Sequence, residues 1–303
     1  KHVHCEKPFC RFGKEGMEVV EEARRQNVKL VVGETYVFIS SHIKARELID
    51  SGEIGRPLQI RQRHGAWLER SKAKVYTGPS DRNWRVDPEK SGGGAYPWIF
   101  DHAVHFFASA EYFIPHSKID EVFAVSSTCS GMKKSGAAHD PYTTATVDIP
   151  MITWKYEDQD CQGVWMRAER LNGKFDYMQG FQTTIIGEKG MIEVLGEGGD
   201  NLFWEGKKQH LILHRENKET LCFRFDEGGD DVWESDISYY SQGHVHHVHH
   251  FLDCVKNDTT PRYAGEDGVH AVQCTLAVIQ SAENLCPVKV SQEIGRASCR
   301  ERV

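Results

Sequence analysis

The sequence contains no apolar run of the roughly 18 residues that a bilayer-spanning helix needs. It also lacks a concentrated Lys/Arg face, and its formal net charge of −7 argues against binding to the phosphates of nucleic acid. None of its nine cysteines forms a C-x-x-C pair, and an odd number of cysteines does not indicate a disulfide framework. These absences predict a protein of the reducing cytoplasm, with no membrane partner and no nucleic-acid partner.

The two ends of the chain are unusual. It begins with "KHVHCEKPFC", which has no initiating methionine, and it ends with "EIGRASCRERV", which has three arginines and neither a helical nor a strand period. We therefore expect residues 292–303 to be a non-native tail and the chain to be truncated upstream. A composition of 39% hydrophobic and 27% charged residues is ordinary for a globular protein. The length of 303 residues is sufficient for two domains.

Residues 1–56 alternate between strand and helix patterns. Residues 14–26 place Met17, Val20 and Ala23 on one helical face. The next run, "VKLVVGETYVF", is continuously apolar, as in a parallel strand that is buried on both faces. A second helix is indicated by "SSHIKARELIDSG", with serine caps at its start and Gly52 at its end. This alternation is typical of a doubly wound α/β sheet.

From residue 57 the pattern becomes rich in β-strands. Seven runs separated by turn residues predict a largely antiparallel sheet: "PLQIRQRHG", "KIDEVFAVSSTC", "YTTATVDIP", "DCQGVWMRAER", "FQTTIIGEKGMIEVL", "HLILHRE" and "ETLCFRFD". Two helical patterns follow, at about 244–256 and 266–284, before a last strand in "CPVKVSQ". The predicted fold class is α/β, with a parallel part followed by an α+β part.

Several segments in a fixed order carry a family resemblance: "HVHCEKP", "SGEIGRPLQI", "NWR", "SGGG" followed by Asp101-His102-Ala103-Val104-His105, and "GEDGVHAVQCTLAVIQSAENLCPVKV". The set resembles the glucose-fructose oxidoreductase / inositol dehydrogenase / MocA (Gfo/Idh/MocA) family over residues 1–291. The resemblance implies a Rossmann domain that binds NAD or NADP, followed by an α/β domain whose open sheet holds the substrate.

The resemblance also implies a division of the chain. Residues 1–56 would be the C-terminal remnant of the Rossmann dinucleotide-binding domain. Residues 57–291 would be a substrate-binding and oligomerisation domain with an open, largely antiparallel sheet. The chain has no G-x-G-x-x-G fingerprint for the pyrophosphate, so we expect it to bind the cofactor poorly and to be inactive by itself.

The residues Glu6, Lys7 and Pro8 follow the first strand, at the carboxyl edge where parallel sheets bind ligands. By resemblance they lie against the cofactor, and Lys7 lies between nicotinamide and substrate. An ammonium at this place can stabilise the alkoxide charge that develops as a hydride departs. The family often has a cis peptide bond before this proline. The alternatives are a solvated lysine at a strand end and an ordinary trans proline.

The residues Asp101 and His105 are four positions apart, so on a helix they share one face. By resemblance His105 is the general acid/base for the alcohol proton, and Asp101 binds the substrate and tunes the histidine. The alternative is an ion pair on a helix surface. His102 is a second histidine next to Asp101, although the register of the motif favours His105.

Two further elements precede this pair. Gly92, Gly93 and Gly94 permit backbone conformations that side chains would block. By resemblance Trp84 and Arg85 bind the substrate, because an indole can lie against a sugar ring and a guanidinium can reach its hydroxyls. A position for Trp84 in the core is an equal alternative.

The stretch "GHVHHVHHF" suggests a metal site, because His246 and His250 have helical ligand spacing. However, the residues Val245, Val248, Phe251, Leu252 and Val255 predict an apolar helix face that packs on the protein and leaves the histidines elsewhere. No cysteine or carboxylate completes a ligand set, so we predict no metal.

The sequence thus predicts an NAD- or NADP-dependent oxidoreductase that acts on a secondary alcohol of a sugar, cyclitol or related polyol, and that forms a homo-oligomer through the open sheet. Two alternatives remain open, a non-catalytic member of the same family that senses a dinucleotide or binds a protein, and a histidine-rich metal-binding module. The sequence does not distinguish NAD from NADP, and it does not identify the sugar or the carbon that reacts.

Overall fold

A computed structural model describes residues 1–64, 92–94, 96–129, 147–157, 160–167, 182–195, 211–225 and 239–290. The described helices are α1 (Gly13–Arg25), α2 (Ser40–Asp50), α3 (Pro97–Phe113), α4 (Tyr239–Asn257) and α5 (Gly265–Asn284), with a 3-10 helix at Thr35–Phe38. The described strands are β1 (Val3–Glu6), β2 (Leu30–Gly33), β3 (Pro57–His64), β4 (Ile119–Cys129), β5 (Val147–Tyr156), β6 (Gln162–Arg167), β7 (Gln182–Gly187), β8 (Gly190–Leu195), β9 (Leu211–Arg215), β10 (Leu221–Phe223) and β11 (Val288–Lys289). The predicted tail, 292–303, lies outside the described residues.

The first part of the chain forms a small parallel sheet. β1 pairs with β2 in parallel, and Glu6 lies opposite Gly33 at the carboxyl ends of both strands. α1 connects the two strands, as the predicted alternation requires. The later helix α5 packs closely on this unit, because a Cβ at Gly265 would lie 2.7 Å from side-chain atoms of both Leu30 and Val20. The parallel α/β prediction for this region is confirmed.

The prediction of one long strand in "VKLVVGETYVF" is wrong. β2 ends at Gly33, and Thr35–Phe38 form a 3-10 helix in which all four residues are buried. The turn is stabilised by Glu34, whose side chain accepts a hydrogen bond from the backbone N–H of Tyr36 at 3.0 Å. The apolar run is therefore a buried strand followed by a buried helical turn, and an apolar run by itself does not distinguish the two.

The second part of the chain forms a nine-stranded sheet in the part that the structure describes. The strand order is β10-β9-β8-β7-β3-β6-β5-β4-β11. Every neighbouring pair is antiparallel except β3 with β6. The largely antiparallel sheet predicted after residue 57 is confirmed. The exact boundary between the two domains stays a prediction.

One face of the sheet is covered and holds the core. Gln62 of β3 lies opposite Trp165 of β6 and Thr183 of β7, and all three side chains are fully buried. α3 packs on this face, where Phe106 stacks on Trp165 with ring centroids 4.7 Å apart. The amide nitrogen of Gln62 donates to Ser109 Oγ of α3 at 2.8 Å, which connects the sheet centre to the helix.

The opposite face carries exposed apolar side chains. Met151 lies opposite both Val125 and Met166 in the paired strands β4, β5 and β6. The three side chains are exposed, and Met151 has the largest exposed fraction, 59%. A contiguous row of this kind on a sheet face is typical of an interaction surface.

The predicted packing of α4 is wrong. Val248 and Leu252 are exposed, at 47% and 56%, whereas His247 is only 2% exposed. The ring centroids of His247 and Phe38 are 4.8 Å apart, and Nδ1 of His247 lies 3.1 Å from Nε2 of His4 on β1. Burial, together with the neighbouring His4, lowers the pKa of His247 to about 4, so the ring is neutral where it packs. The histidine side of the helix, not its apolar side, faces the protein.

Candidate active site

The carboxyl end of β1 presents Lys7 to helix α3. The Lys7–Pro8 peptide bond is cis, as the resemblance led us to expect. The ammonium of Lys7 donates to the backbone carbonyl of Asp101 at 2.9 Å and lies 3.2 Å from its Oδ1. Both side chains are largely buried, with 12% of Lys7 and 6% of Asp101 exposed. This ion pair joins residues 94 positions apart and connects the first part of the chain to the second.

Helix α3 carries both Asp101 and His105, and the glycines before it allow the helix to begin where it does. Gly92 and Gly94 have φ angles of +91° and +54°, which glycine adopts without strain. A side chain at Gly92 would also collide with the ring of Phe100, since a Cβ there would lie 2.9 Å from it. The helix then begins at Pro97, whose missing N–H costs nothing in a first turn. The predicted helical pairing of Asp101 and His105 on one face is confirmed.

The ring of His105 is held by residues that follow β2. Its Nδ1 lies 2.6 Å from Oε1 of Glu34, and both side chains are buried. The ring of Tyr36 stacks on the imidazole, with centroids 4.7 Å apart and planes 22° apart. Sequence reasoning missed Glu34. The available signal was a single acidic residue inside an apolar run, because a buried carboxylate requires a partner.

The charges of the site favour an ionised Glu34. Burial alone would raise the pKa of its carboxyl, but the adjacent His105, the N–H of Tyr36 and the more distant charge of Lys7 together bring that pKa below its usual value. Glu34 therefore carries a negative charge at neutral pH. The site combines two carboxylates with one ammonium and one imidazole, all from the ends of β1 and β2 and the first turns of α3.

The second turn of α4 borders the 3-10 helix next to this cluster. Nδ1 of His244 lies 3.1 Å from Oγ1 of Thr35, the residue after Glu34. Gly243 allows this approach, because a Cβ there would lie 2.8 Å from the methyl carbon of Thr35. His244 is exposed. The neighbouring histidine considered in the sequence, His102, lies 3.7 Å from Oδ2 of Asp101.

The structure places Lys7 against Asp101, and His105 follows Asp101 by four residues on α3, while their roles in a site stay a prediction. Glu6 is exposed at the end of β1, and its Oε2 accepts a hydrogen bond from the backbone N–H of Lys7 at 3.3 Å. Trp84 and Arg85 lie outside the described residues.

One other group in the described residues has the composition of a metal site. Potential ligand atoms of Glu111, His270 and Cys274 lie within 4.8 Å of one another between α3 and α5. Glu111 already pairs with His270 at 2.8 Å, with the ammonium of Lys118 at 2.8 Å and with the N–H of Ile119 at 2.9 Å. A cation placed there would face the Lys118 charge, so the group is a buried ion-pair network. The histidines at 244–250 do not form a three-ligand group in the part of the chain that is described.

Comparison with known proteins identifies the family of the chain. The family model for the C-terminal α/β domain of the Gfo/Idh/MocA oxidoreductases matches residues 46–290. The chain belongs to the Gfo/Idh/MocA oxidoreductase family. Among the described residues, no helix is both long and apolar enough to cross a membrane.

Two curated relatives cover almost the whole chain. A 1,5-anhydro-D-fructose reductase of Ensifer adhaerens is 26% identical over 93% of this chain and 70% of its own length. A myo-inositol 2-dehydrogenase of Thermotoga maritima is 24% identical over 97% of this chain and 74% of its own length. The fold is also that of an inositol dehydrogenase homologue from Azotobacter vinelandii solved with NAD+, with a TM-score of 0.67, 19% identity, and coverage of 95% of this chain and 72% of that one.

Proposed function

We propose that this family member transfers a hydride between NAD or NADP and a carbon that bears a secondary hydroxyl in a sugar, cyclitol or related polyol. The observation that carries the proposal is the contact of Lys7 with Asp101 beside the pair of His105 with Glu34. During oxidation of an alcohol, an ammonium donor can stabilise the developing alkoxide and an imidazole can accept the hydroxyl proton.

The residues at the end of β1 fit the nicotinamide part of such a cofactor. The edge formed by the carboxyl ends of β1 and β2 is where open α/β sheets bind ligands. Glu6, Lys7 and Pro8 lie at this edge and would hold the nicotinamide end. The relatives that act on anhydrofructose and myo-inositol, and the homologue solved with NAD+, support this choice of cofactor and substrate class. When bound, the cofactor supplies the carbon that accepts or returns the hydride.

The side chains then have separate tasks. Lys7 donates a hydrogen bond to the substrate hydroxyl oxygen and stabilises its negative charge as the C–H bond breaks. Asp101 holds the ammonium of Lys7 in place through Oδ1, and its other oxygen, Oδ2, can accept a bond from a second hydroxyl. His105 takes the hydroxyl proton, the carbon gives up its hydride to the cofactor, and the alcohol becomes a ketone. Reduction of a ketone uses the same groups in reverse.

The substrate wall and the oligomer are further parts of the proposal. Trp84 and Arg85 would contact the sugar by resemblance to the family. The exposed row that includes Val125, Met151 and Met166 supports a homo-oligomer formed through the open sheet face. The described cysteines have free thiols, which fits a cytoplasmic protein.

The test uses the protein expressed from its complete gene. We expect His105→Ala and Lys7→Ala each to lower kcat for polyol oxidation by on the order of 10²- to 10⁴-fold, far more than they weaken cofactor binding, because both groups act on charge that develops in the transition state. His214→Ala is the control. This histidine lies on β9 and pairs with Glu193 at 2.9 Å, away from the site. A His105→Ala variant that oxidises polyols at the parent rate would show that the assignment is wrong.

A further inference from the structure

We propose that Glu34 is the positioning residue of His105. It holds the imidazole with the proton on Nδ1, which leaves Nε2 as the atom that exchanges a proton with the substrate. The tautomer of His105 is a property of this chain alone, whereas its effect on turnover rests on the proposed function.

The contact between the two side chains fixes the tautomer. An ionised carboxylate has acceptors only, so a ring nitrogen 2.6 Å from its oxygen must carry the hydrogen. Glu34 is 1% exposed and His105 is nearly as buried, so water does not compete for this bond. The low pKa of Glu34 agrees with an ionised acceptor.

The same turn also fixes the plane of the ring. Oε1 of Glu34 accepts both the N–H of Tyr36 and the Nδ1–H of His105, so the carboxylate cannot rotate freely. Tyr36 then stacks on the imidazole at 4.7 Å. A single 3-10 turn therefore sets both the tautomer and the orientation of His105. A histidine with Nδ1 occupied has only Nε2 for acid/base chemistry.

The arrangement gives each carboxylate its own cationic or imidazole partner. The resemblance assigns the tuning of His105 to Asp101, but the hydrogen bonds of Asp101 that connect it to the first part of the chain go to Lys7. The carboxylate bonded to Nδ1 of His105 is Glu34. We assign the tuning to Glu34, and Asp101 remains with Lys7 and the substrate.

The tautomer is measured by NMR of 15N-labelled histidine rings in this chain, at a pH where the ring is neutral. We expect His105 to show a protonated Nδ1 and a bare Nε2 in the parent, and a mixture of both tautomers in Glu34→Ala. Glu34→Gln retains an oxygen that can accept from Nδ1, so this variant should keep most of the parent tautomer. Circular dichroism and thermal melts establish that each variant is folded.

The kinetic measurement uses the protein from the complete gene. We expect Glu34→Ala to lower kcat on the order of 10²-fold or more with KM almost unchanged, and Glu34→Gln to recover part of the loss. Glu111→Gln is the matched control. Glu111 lies on α3, like His105, but away from Lys7, and the change removes the carboxylate partner of another largely buried histidine, His270. It should lower stability and leave kcat within about twofold of the parent.

Two results would overturn the inference. One is a His105 tautomer that is the same in Glu34→Ala as in the parent. The other is a Glu34→Ala variant with the parent kcat in a protein where His105→Ala is inactive, which would leave the proposed function intact. If His105→Ala itself retains the parent kcat, the proposed function fails instead, and the NMR result still decides the tautomer.

Discussion

Gly163 on β6 lies directly opposite Trp154 on β5, and a methyl group at this position should destabilise the protein severely. A Cβ built at Gly163 would lie 2.0 Å from Cε2 of the indole and 2.1 Å from Cζ2. Carbon atoms in contact normally lie about 3.5–4.0 Å apart, so the ring or the strand must move by more than about 1 Å.

The indole has little space into which it could move. Trp154 is buried, and its ring packs edge-on against Phe107 of α3 with centroids 5.5 Å apart. Overpacking a core costs about 1–3 kcal/mol, and a rigid ring at this distance belongs at the upper end. Replacing glycine also restricts the unfolded chain, which returns about 0.4–1 kcal/mol. The net expectation for Gly163→Ala is a loss of about 2–2.6 kcal/mol in the free energy of unfolding.

The assay is urea denaturation followed by tryptophan fluorescence and circular dichroism, with the midpoint and slope both fitted. Gly52→Ala is the control, because its φ is +76° and nothing lies within 4 Å of the added Cβ. It should cost about 1–2 kcal/mol from the backbone conformation alone. In the double variant Gly163→Ala with Trp154→Leu, we expect a smaller loss than the sum of the single variants. A Gly163→Ala protein within about 0.5 kcal/mol of the parent would refute the packing argument.

Three further outcomes are expected. Glu111→Gln should lower the free energy of unfolding by about 3 kcal/mol at neutral pH, because it leaves His270 without its carboxylate and Lys118 with Asp267 alone; an unchanged urea midpoint would contradict this. Burial opposes the charge of Glu111, but His270 and Lys118 bring its pKa below the usual 4.5, so its contribution is present above that pH and is lost as the pH falls. The parent should therefore lose more stability between pH 6 and pH 3 than Glu111→Gln does, and equal losses in urea titrations would count against the pairing. Met151→Lys should shift the proposed homo-oligomer to a smaller species in light scattering, whereas Val248→Lys on α4 should not; an unchanged mass for Met151→Lys would exclude this face as the interface.

Local sequence pattern was sufficient to predict much of the secondary structure and part of the candidate site. Six of the seven β-rich runs contain described strands, with "FQTTIIGEKGMIEVL" divided into the hairpin of β7 and β8. The seventh, "YTTATVDIP", overlaps β5 only at residues 147–150, and its residues 142–146 lie outside the described part of the chain. The spacing of Asp101 and His105 predicted a shared helix face, since four residues make about one turn. Lys7 could be placed at a strand end because a short apolar strand pattern precedes it and a proline follows it. These features depend on residues that are close in sequence.

The features that sequence reasoning missed depend on partners that are distant in sequence. Glu34 appeared as an irregularity in an apolar strand, because its partner His105 is 71 residues later. α4 shows the same problem, since its periodicity identifies an apolar face but not the neighbour against which a face packs. His247 is buried because His4, 243 residues earlier, lies beside it. Hydrophobic pattern does not contain such pairings, so tertiary contact decided both cases.

The position of β3 in the sheet affects how this protein can be synthesised. β3 is the fifth of the nine described strands across this sheet, and its hydrogen-bonded partners are β6 and β7. Both partners emerge from the ribosome about 100 residues after β3, which corresponds to an interval of roughly 5–20 s at ordinary translation rates. Throughout that interval both edges of β3 lack the strands that satisfy their backbone groups in the native sheet. The nascent chain should therefore depend on a chaperone during this interval, and ribosome profiling with chaperone pull-down should show binding that begins after residue 64 emerges and ends once residue 187 has emerged.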